Sequence, residues 1–383
     1  MSTDTTRPPS LLDLDDHALE QNVAELGSPS YRAGQIRRAV YRRFALDFAE
    51  MTDLPQALRT QLSQRLRVGP AAVVGQQTSG DGSTTKLLLR LDDGELIETV
   101  LMRYDPFGKR RPRQTVCVST QAGCAMGCTF CATGAQGFRR QLSAGEILLQ
   151  VLTIARIAAG EAVADSDSLA DESAAAADGS AGPSGLTNVV FMGMGEPLAN
   201  YEATSAALTR LSDPEAFAMS PRRITVSTVG LVPGMRRLAA DHPQVNLAIS
   251  LHASDEALRN ALVPVPSASL AAIVATAREH VRRTGRRVSL EYVLLAGIND
   301  APSQASDLAR LLRGLNGHVN LIPINPSPGV VGARPSRSAV LQFQAALETG
   351  GISTTVRVEK GRDIAAACGQ LRGDRAPAAK AGS

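Results

Sequence analysis

The sequence predicts an α/β fold: an open, partial (β/α)6 barrel carried behind an N-terminal helical domain and a β-meander. Three observations predict it. Six β-like runs, at 115–119, 188–193, 223–228, 245–250, 287–295 and 319–323, are separated mostly by helical patterns, and such alternation builds a parallel sheet with helices outside it. The first intervening helix carries its own start signal, the capping box Ser143-Ala-Gly-Glu146 ahead of Ile147, Leu148, Val151 and Leu152. Six units also fall short of a closed eightfold barrel. The chain divides on this reading into a helical domain (1–70), a meander acting as a linking segment (71–112), the barrel (113–372) and a flexible tail (373–383).

Composition sets the outer bounds. The 383 residues are 44% apolar, enough for a sizeable core, and Lys+Arg 40 against Asp+Glu 37 leaves only +3. Overall charge therefore does not announce a nucleic-acid partner, and the distribution of charge matters more than its sum. The sequence has no run of eighteen apolar residues and no leader pattern at its start, so neither a membrane span nor export is expected. Five cysteines, odd in number and clustered, argue against a secreted disulfide framework. The expected compartment is the reducing cytoplasm.

In the helical domain, Ser30 reads as an N-cap before Ala33, Ile36, Val40 and Phe44, an apolar stripe at helical spacing. A second helix is expected from Leu54, with Pro55 in its first turn. Between Ser30 and Arg67 stand eight arginines, no lysines and three acids. Such an excess reads either as a solvated helical face or as a phosphate-contacting module. The β-rich runs 73–77, 84–91 and 95–104 follow, separated by the turn sequences Gly80-Asp81-Gly82 and Asp92-Asp93-Gly94. Glu98 falls inside the third run, where a lone acid is ordinarily on the solvent face. Gly108-Lys-Arg-Arg-Pro-Arg113 then forms a basic loop.

In barrels of this kind the working residues sit at the carboxyl ends of strands. The unusual polar clusters lie there: cysteines after the first run, Gly193-Met-Gly-Glu-Pro197 after the second, Ser227-Thr-Val-Gly230 after the third. Ser250-Leu-His-Ala253 and Asn325-Pro-Ser-Pro328 close the fourth and sixth. Residues 158–185, rich in Ala, Ser, Asp and Gly, lack periodicity and read as a disordered insertion.

The cysteine loop is Cys124-Ala-Met-Gly-Cys128-Thr-Phe-Cys131, three of the five cysteines within eight residues. Thiolates so close are usually held by a metal. A zinc site would want a fourth protein ligand from a second Cys or His pair, and the sequence offers no such pair. Three thiolates suit a cubane iron–sulfur cluster with one iron left open.

Cys124-x3-Cys128-x2-Cys131 after the first barrel strand, with the Gly-Met-Gly-Glu-Pro loop, resembles the radical S-adenosylmethionine (SAM) superfamily. More closely, the chain resembles the RlmN family of dual-specificity RNA methyltransferases from about Ser30 to Arg372. The matching stretches are Ile97-Glu98-Thr99-Val100, the Cys117-Val-Ser strand, Gln136-Gly-Phe138, Met192-Gly-Met-Gly-Glu-Pro-Leu198, Ser250-Leu-His252 and Ala366-Ala-Cys368-Gly-Gln-Leu371.

The resemblance implies methylation of carbon 2 of an adenosine in 23S rRNA, at the peptidyl-transferase centre, and of the adenosine just 3′ of the anticodon in tRNAs. It implies a [4Fe-4S] cluster on Cys124, Cys128 and Cys131, with SAM bound at the open iron. A ring carbon is a poor nucleophile, which is why a radical route is needed. One SAM methylates Cys368; reductive cleavage of a second generates a radical on that methyl, which adds to the base. Cys117 resolves the adduct by forming a disulfide with Cys368, and Glu98 accepts the ring proton. For SAM the matching positions are Gly195, Glu196, Ser227, Ser250, Leu251, His252 and Asn325. Taken alone, Cys117 and Cys368 read as buried packing cysteines and His252 as a structural histidine.

Implied partners are rRNA and tRNA, held by the arginine-rich unit and the barrel mouth, and an electron donor such as flavodoxin, with the chain acting as a monomer. The competing readings are a Cfr-like carbon-8 methyltransferase with the same cysteine set, and a non-enzymatic RNA-binding protein stabilised by a structural metal.

Overall fold

The computed structural model describes residues 8–69, 72–105, 112–165, 185–264, 268–327, 329–357, 360–367 and 369–371. Cys368, residues 108–111 of the basic loop, residues 166–184 of the expected insertion and the tail from 372 lie outside the described residues.

Helices α1 (Asp16–Glu25), α2 (Tyr31–Arg43) and α3 (Gln56–Arg65) form the N-terminal unit. The stripe read from the sequence is the buried face of α2, with Ala33, Ile36 and Val40 wholly inside. Its ends differ from expectation. Ser30 has helical backbone angles and makes no side-chain cap, while Phe44 leaves the helix in the left-handed region at φ 57° yet stays buried. Pro55 is itself the N-cap of α3. Helix α1 lacks a clear apolar stripe; its signal is Asp15, whose carboxylate accepts from the Ala18 N–H at 2.7 Å.

This unit is fastened to the barrel by paired charges. Asp13 accepts from Gly145 N at 2.6 Å and Ser143 Oγ at 3.0 Å. Asp16 bridges Arg37 at 3.1 Å and Arg210 at 2.8 Å, and Arg156 pairs with Glu50 at 2.8 Å. Seven of the eight arginines between 30 and 67 make such contacts within the chain. Arg37, Arg43, Arg65 and Arg67 meet carboxylates; Arg32, Arg42 and Arg59 donate to backbone carbonyls. A bare basic face is therefore not what these residues form.

The strands β1 (Ala72–Thr78), β2 (Thr84–Arg90), β3 (Leu96–Tyr104) and β4 (Arg113–Cys117) run antiparallel. Two short strands, β5 (Gln121–Gly123) and β6 (Phe138–Gln141), form a separate two-stranded sheet. From β4 the main sheet continues in parallel through β7 (Asn188–Phe191), β8 (Ile224–Thr228), β9 (Asn246–Ser250), β10 (Val288–Leu294), β11 (Gly317–Pro323) and β12 (Thr354–Val356). All six expected strands are present, and β12 is a seventh at the open edge. The meander is thus part of one ten-stranded sheet rather than a linking segment, because β3 pairs with β4 in register, Val100 opposite Cys117.

After the short α4 (Ala132–Ala135), the crossover helices are α5 (Ala144–Asp165), α6 (Tyr201–Ser212), α7 (Val232–Asp241), α8 (Glu256–Leu262), α9 (Leu270–Thr284), α10 (Pro302–Leu312) and α11 (Arg337–Thr349). Contacts run α5 to α6 to α7 to α9 to α10 to α11, so the helices form a layer in the same order as the strands. The capping box closes in both directions: Glu146 N donates to Ser143 Oγ at 3.1 Å and Ser143 N to Glu146 Oε2 at 2.9 Å. Helix α5 continues through Asp165, so the first part of the stretch read as aperiodic is helical. Ala158 is fully buried there, which gives the helix a packing reason to continue. Among the described residues no helix is long and apolar enough to cross a membrane.

His280 on α9 is buried, and among the described residues neither ring nitrogen has a partner. Burial first, then Arg286, holds its pKa down at about 4. A folded value below the unfolded one means the histidine's contribution is whole above pH 6.5 and lost as pH falls through 4. Replacing His280 by Leu should therefore reduce the stability lost between pH 7 and pH 5 by about 1–2 kcal/mol. Denaturant melts at the two pH values check it; identical losses in both proteins would show that the ring does not titrate with unfolding.

Candidate functional site

Beyond the carboxyl ends of the parallel strands lies an open cleft, the place where ligands bind in folds of this kind. Cys124, Cys128, Cys131, Gly195, Glu196, Ser227, Ser250, His252 and Asn325 all line it. Nine candidates scattered over two hundred residues thus meet in one place, because each ends or follows a strand of the barrel.

Leu251 is the exception. Its side chain is fully buried in the core and its N–H donates to Glu291 O at 2.9 Å, so only backbone is near the cleft.

The cysteine loop is seated by backbone contacts on both sides. Cys124 N donates to Gly137 O at 2.9 Å and Thr129 N to Leu262 O at 3.1 Å. Under it lies a small apolar cluster of its own, with Met126, Phe130, Val229, Leu262, Val263, Leu295 and Ile324. His252 stacks edge-on against Phe130, centroids 4.5 Å apart, and its Nδ1 accepts from Val293 N at 3.1 Å. Burial, then Arg259, keeps the ring neutral. It adopts φ 64°, a strained backbone of the kind often found at working sites.

Glu196 is buried, and its carboxylate accepts from Val229 N at 2.8 Å and Leu198 N at 3.0 Å. Burial pushes its pKa up to about 7 against those bonds. The loop before it cannot carry a side chain at Gly195, where φ is +102° and a Cβ would stand 2.6 Å from the Gln121 side chain.

The donor set fits an iron–sulfur cluster. The three thiols share one cleft, and a cubane takes each of three thiolates on a different iron. Burial pushes the Cys124 thiol up to about 12 and raises that of Cys128 as well; coordination, not solvation, is what makes thiolates in such a place. Asn325 Nδ2 is buried without a partner on the cleft wall, a donor awaiting a ligand.

A second cavity adjoins the first and shares Cys131, Thr133, Met192, Gly193, Ile322, Arg357 and Gly369 as walls. Cys117 lines it, as do Ala366, Ala367 and Gly369. Cys368 itself lies outside the described residues, but both its chain neighbours are on that wall. The C-terminal segment is held there by Ala132 N donating to Gly369 O at 2.8 Å and Thr133 Oγ1 to Leu371 O at 2.6 Å.

Glu98 is not on either wall. It is buried rather than solvent-facing, 3% exposed, and paired with Lys86 Nζ at 2.8 Å. Lys86 also donates to Ala365 O at 3.3 Å, tying the acid's strand to the C-terminal segment. Glu98 stands two residues from Val100, the register partner of Cys117, on the same face of β3.

Two buried charges, Glu291 on the cleft wall and Arg259 on the helix that abuts the cysteine loop, carry no signal in the sequence. Glu291 on β10 lines the cleft and accepts from Asn320 Nδ2 at 2.9 Å. Arg259 on α8 is 1% exposed. No spacing marks either: Arg259 sits in an ordinary amphipathic run, and Glu291 interrupts a strand as Glu98 does.

The N-terminal residues 10–68 match the family described as the ribosomal RNA large subunit methyltransferase N-terminal domain, and residues 118–309 match the radical SAM superfamily. The chain is 47% identical over 401 residues to a probable dual-specificity RNA methyltransferase RlmN of Roseiflexus sp. (strain RS-1), covering 98% of each chain. It is 44% identical to the ribosomal RNA large subunit methyltransferase N of Nitrosopumilus maritimus (strain SCM1), covering 93% of this chain and 96% of that one. The crystal structure of a radical SAM methyltransferase from Sphaerobacter thermophilus superposes with a TM-score of 0.85 at 46% identity, over 96% of this chain and 100% of that one.

Proposed function

Because this chain belongs to the RlmN family of radical SAM RNA methyltransferases, we propose that its two adjoining cavities divide one reaction between them, SAM in the first and the adenine ring in the second. The chain is an RNA methyltransferase that modifies carbon 2 of adenosine in rRNA and tRNA. The observation that carries the division of labour is the shared wall: Cys131 of the cysteine loop faces both cavities, and Cys117 faces only the second.

Cys124, Cys128 and Cys131 would hold the cluster, which when bound supplies the electron that cleaves SAM. Gly195 and Glu196 are suited to the methionine amino group, with the Glu196 carboxylate fixed by two backbone N–H groups. Ser227, Ser250 and the Asn325 Nδ2 group, which has no partner among the described residues, offer polar edges to ribose and adenine.

Cys368, whose chain neighbours line the second cavity, carries the methyl group, whose carbon gives up one hydrogen atom and becomes bonded to carbon 2 of the base. The Cys117 thiolate then attacks the Cys368 sulfur. An S–S bond forms, the sulfur–carbon bond to the tethered base breaks with its electron pair going to that carbon, the carbon takes up a proton to become the methyl group, and the product leaves. The resemblance assigns the ring proton to Glu98, which stands behind the cavity walls in a charge pair with Lys86 and so would receive it by way of an intervening group. We further propose a monomer served by a small one-electron donor of the flavodoxin type. Seven arginines of the N-terminal unit would have to share their carboxylate or carbonyl contacts with RNA phosphates.

The test is product identity. Reconstituted anaerobically with iron and sulfide, the protein is incubated with an rRNA fragment, SAM and a reductant, and the RNA is digested and analysed. The expected product is 2-methyladenosine. Finding 8-methyladenosine would overturn the site of attack, and a colourless protein holding one zinc would overturn the radical reading.

A further inference from the structure

Arg259 is the largest of the fully buried side chains among the described residues. Its Nη2 donates to Val229 O, but Nε and Nη1 are buried and have no partner among the described residues. A guanidinium removed from water and left short of bonds costs several kcal/mol, and such a group persists only where something compensates it. The nearby acids do so incompletely. Glu256, one turn earlier on α8, already accepts from Leu270 N at 2.9 Å. Glu196 is reached only through the Val229 peptide, whose N–H binds the carboxylate and whose C=O binds the arginine. Of the charged groups around it, the Cys128 thiol weighs most on Arg259, ahead of Glu256 and Glu196, and Val229, whose carbonyl it binds, packs in the apolar cluster of Cys124 and Cys128. α8 also abuts the cysteine loop, through the Thr129 N to Leu262 O bond.

We propose that Arg259 is a positioning residue of the cluster site: its two unpartnered nitrogens hydrogen-bond and neutralise the sulfur face around Cys128, and so set the potential at which the cluster takes its electron. Adding an electron to a group already bearing thiolate charge is easier beside a fixed cation, and net charge and hydrogen bonds to sulfur are what tune such potentials. The same anion-binding nitrogens could serve a carboxylate of bound SAM, and the test separates the two. This inference rests on the radical SAM reading above.

The experiment is a spectroelectrochemical titration of the reconstituted full-length protein without SAM, comparing wild type, Arg259→Met and Arg259→Lys. Loss of the charge should shift the midpoint negative by at least a tenfold change in the reduction equilibrium, about 59 mV for one electron. Arg259→Lys should recover most of the shift. Should Arg259→Met assemble no cluster, Arg259→Gln, neutral but polar, takes its place. After chelation of the iron, the apo Arg259→Met chain should melt no lower than apo wild type, because a costly buried charge has been removed.

An unchanged midpoint overturns the inference, as does an unchanged midpoint with weakened SAM binding, which would assign the arginine to the SAM carboxylate. A much lower apo melting temperature overturns it in favour of a purely structural role. A wild-type protein with no reducible cluster would sink the radical SAM reading itself and this inference with it. A normal wild type beside an unaltered variant sinks this inference alone.

Discussion

Cys117→Ala should accumulate a covalent protein–RNA species and release no methylated base, whereas Cys368→Ala should give neither adduct nor product. The reasoning is one of order. In the proposed reaction Cys368 acts before the base is tethered, so removing it leaves nothing to tether. Cys117 acts afterwards, so removing it leaves a sulfur–carbon bond with no thiolate placed to exchange it. The position of Cys117 suits this late step, since β4 ends on it and it shares a cavity wall with Ala367 and Gly369, the two chain neighbours of Cys368. Water cannot substitute readily there, because the residue is only 8% exposed. The double variant should behave as Cys368→Ala does, since residues acting as a unit are not additive. Denaturing gels with labelled RNA read the adduct, and nucleoside analysis reads the product. Normal turnover by Cys117→Ala would remove that residue from the mechanism, and any product from Cys368→Ala would contradict the methyl-carrier role.

Gly123→Ala should empty the cluster site without touching a ligand. A Cβ at Gly123 would lie 2.0 Å from Gly137 O, a backbone atom that cannot rotate away, and φ there is +73°. The same oxygen accepts from Cys124 N at 2.9 Å, so relieving the clash displaces the first cysteine. Gly137 supplies the control beside the same pair of strands. Its φ is +75°, but an added Cβ meets nothing within 4 Å. Gly137→Ala should thus cost only the left-handed strain, about 1–2 kcal/mol, and keep its iron. Gly123→Ala should cost several kcal/mol more and lose most of its iron and sulfide. Iron and sulfide assays with thermal melts check both, and near-normal loading of Gly123→Ala would show that the β5–β6 contact does not seat the loop.

The barrel strands were legible because their signals are local. Apolar runs, the Ser143–Glu146 box and the turn glycines act within a few residues, and nearly every expected strand stands within two residues of its predicted bounds. The missed elements were those without such signals. β12 is three residues long and β5 is three, too short for a pattern. Helix α5 runs beyond its periodic stretch because burial of Ala158, not its neighbours in sequence, supports it. The meander looked like a linker because nothing in its own residues tells that Val100 will pair with Cys117.

The site divides along the same line. By itself the sequence marked the residues expected to carry the chemistry: three thiols at a spacing that suits a shared metal group, a glycine-rich loop containing Glu196, and polar residues at strand ends. Those are properties of composition and spacing, and they hold before the chain folds. Only the tertiary structure decided how the charges are disposed. It buried Glu98 against Lys86 when a strand acid would ordinarily face water, and turned Leu251 into the core while its neighbours line the cleft. It also laid the neighbours of Cys368 on the Cys117 wall, and shut Arg259 beneath the cysteine loop with two nitrogens unanswered. Each is a contact between residues far apart in the chain. Its energy comes from burial and pairing, which exist only once the sheet has brought the strand ends together.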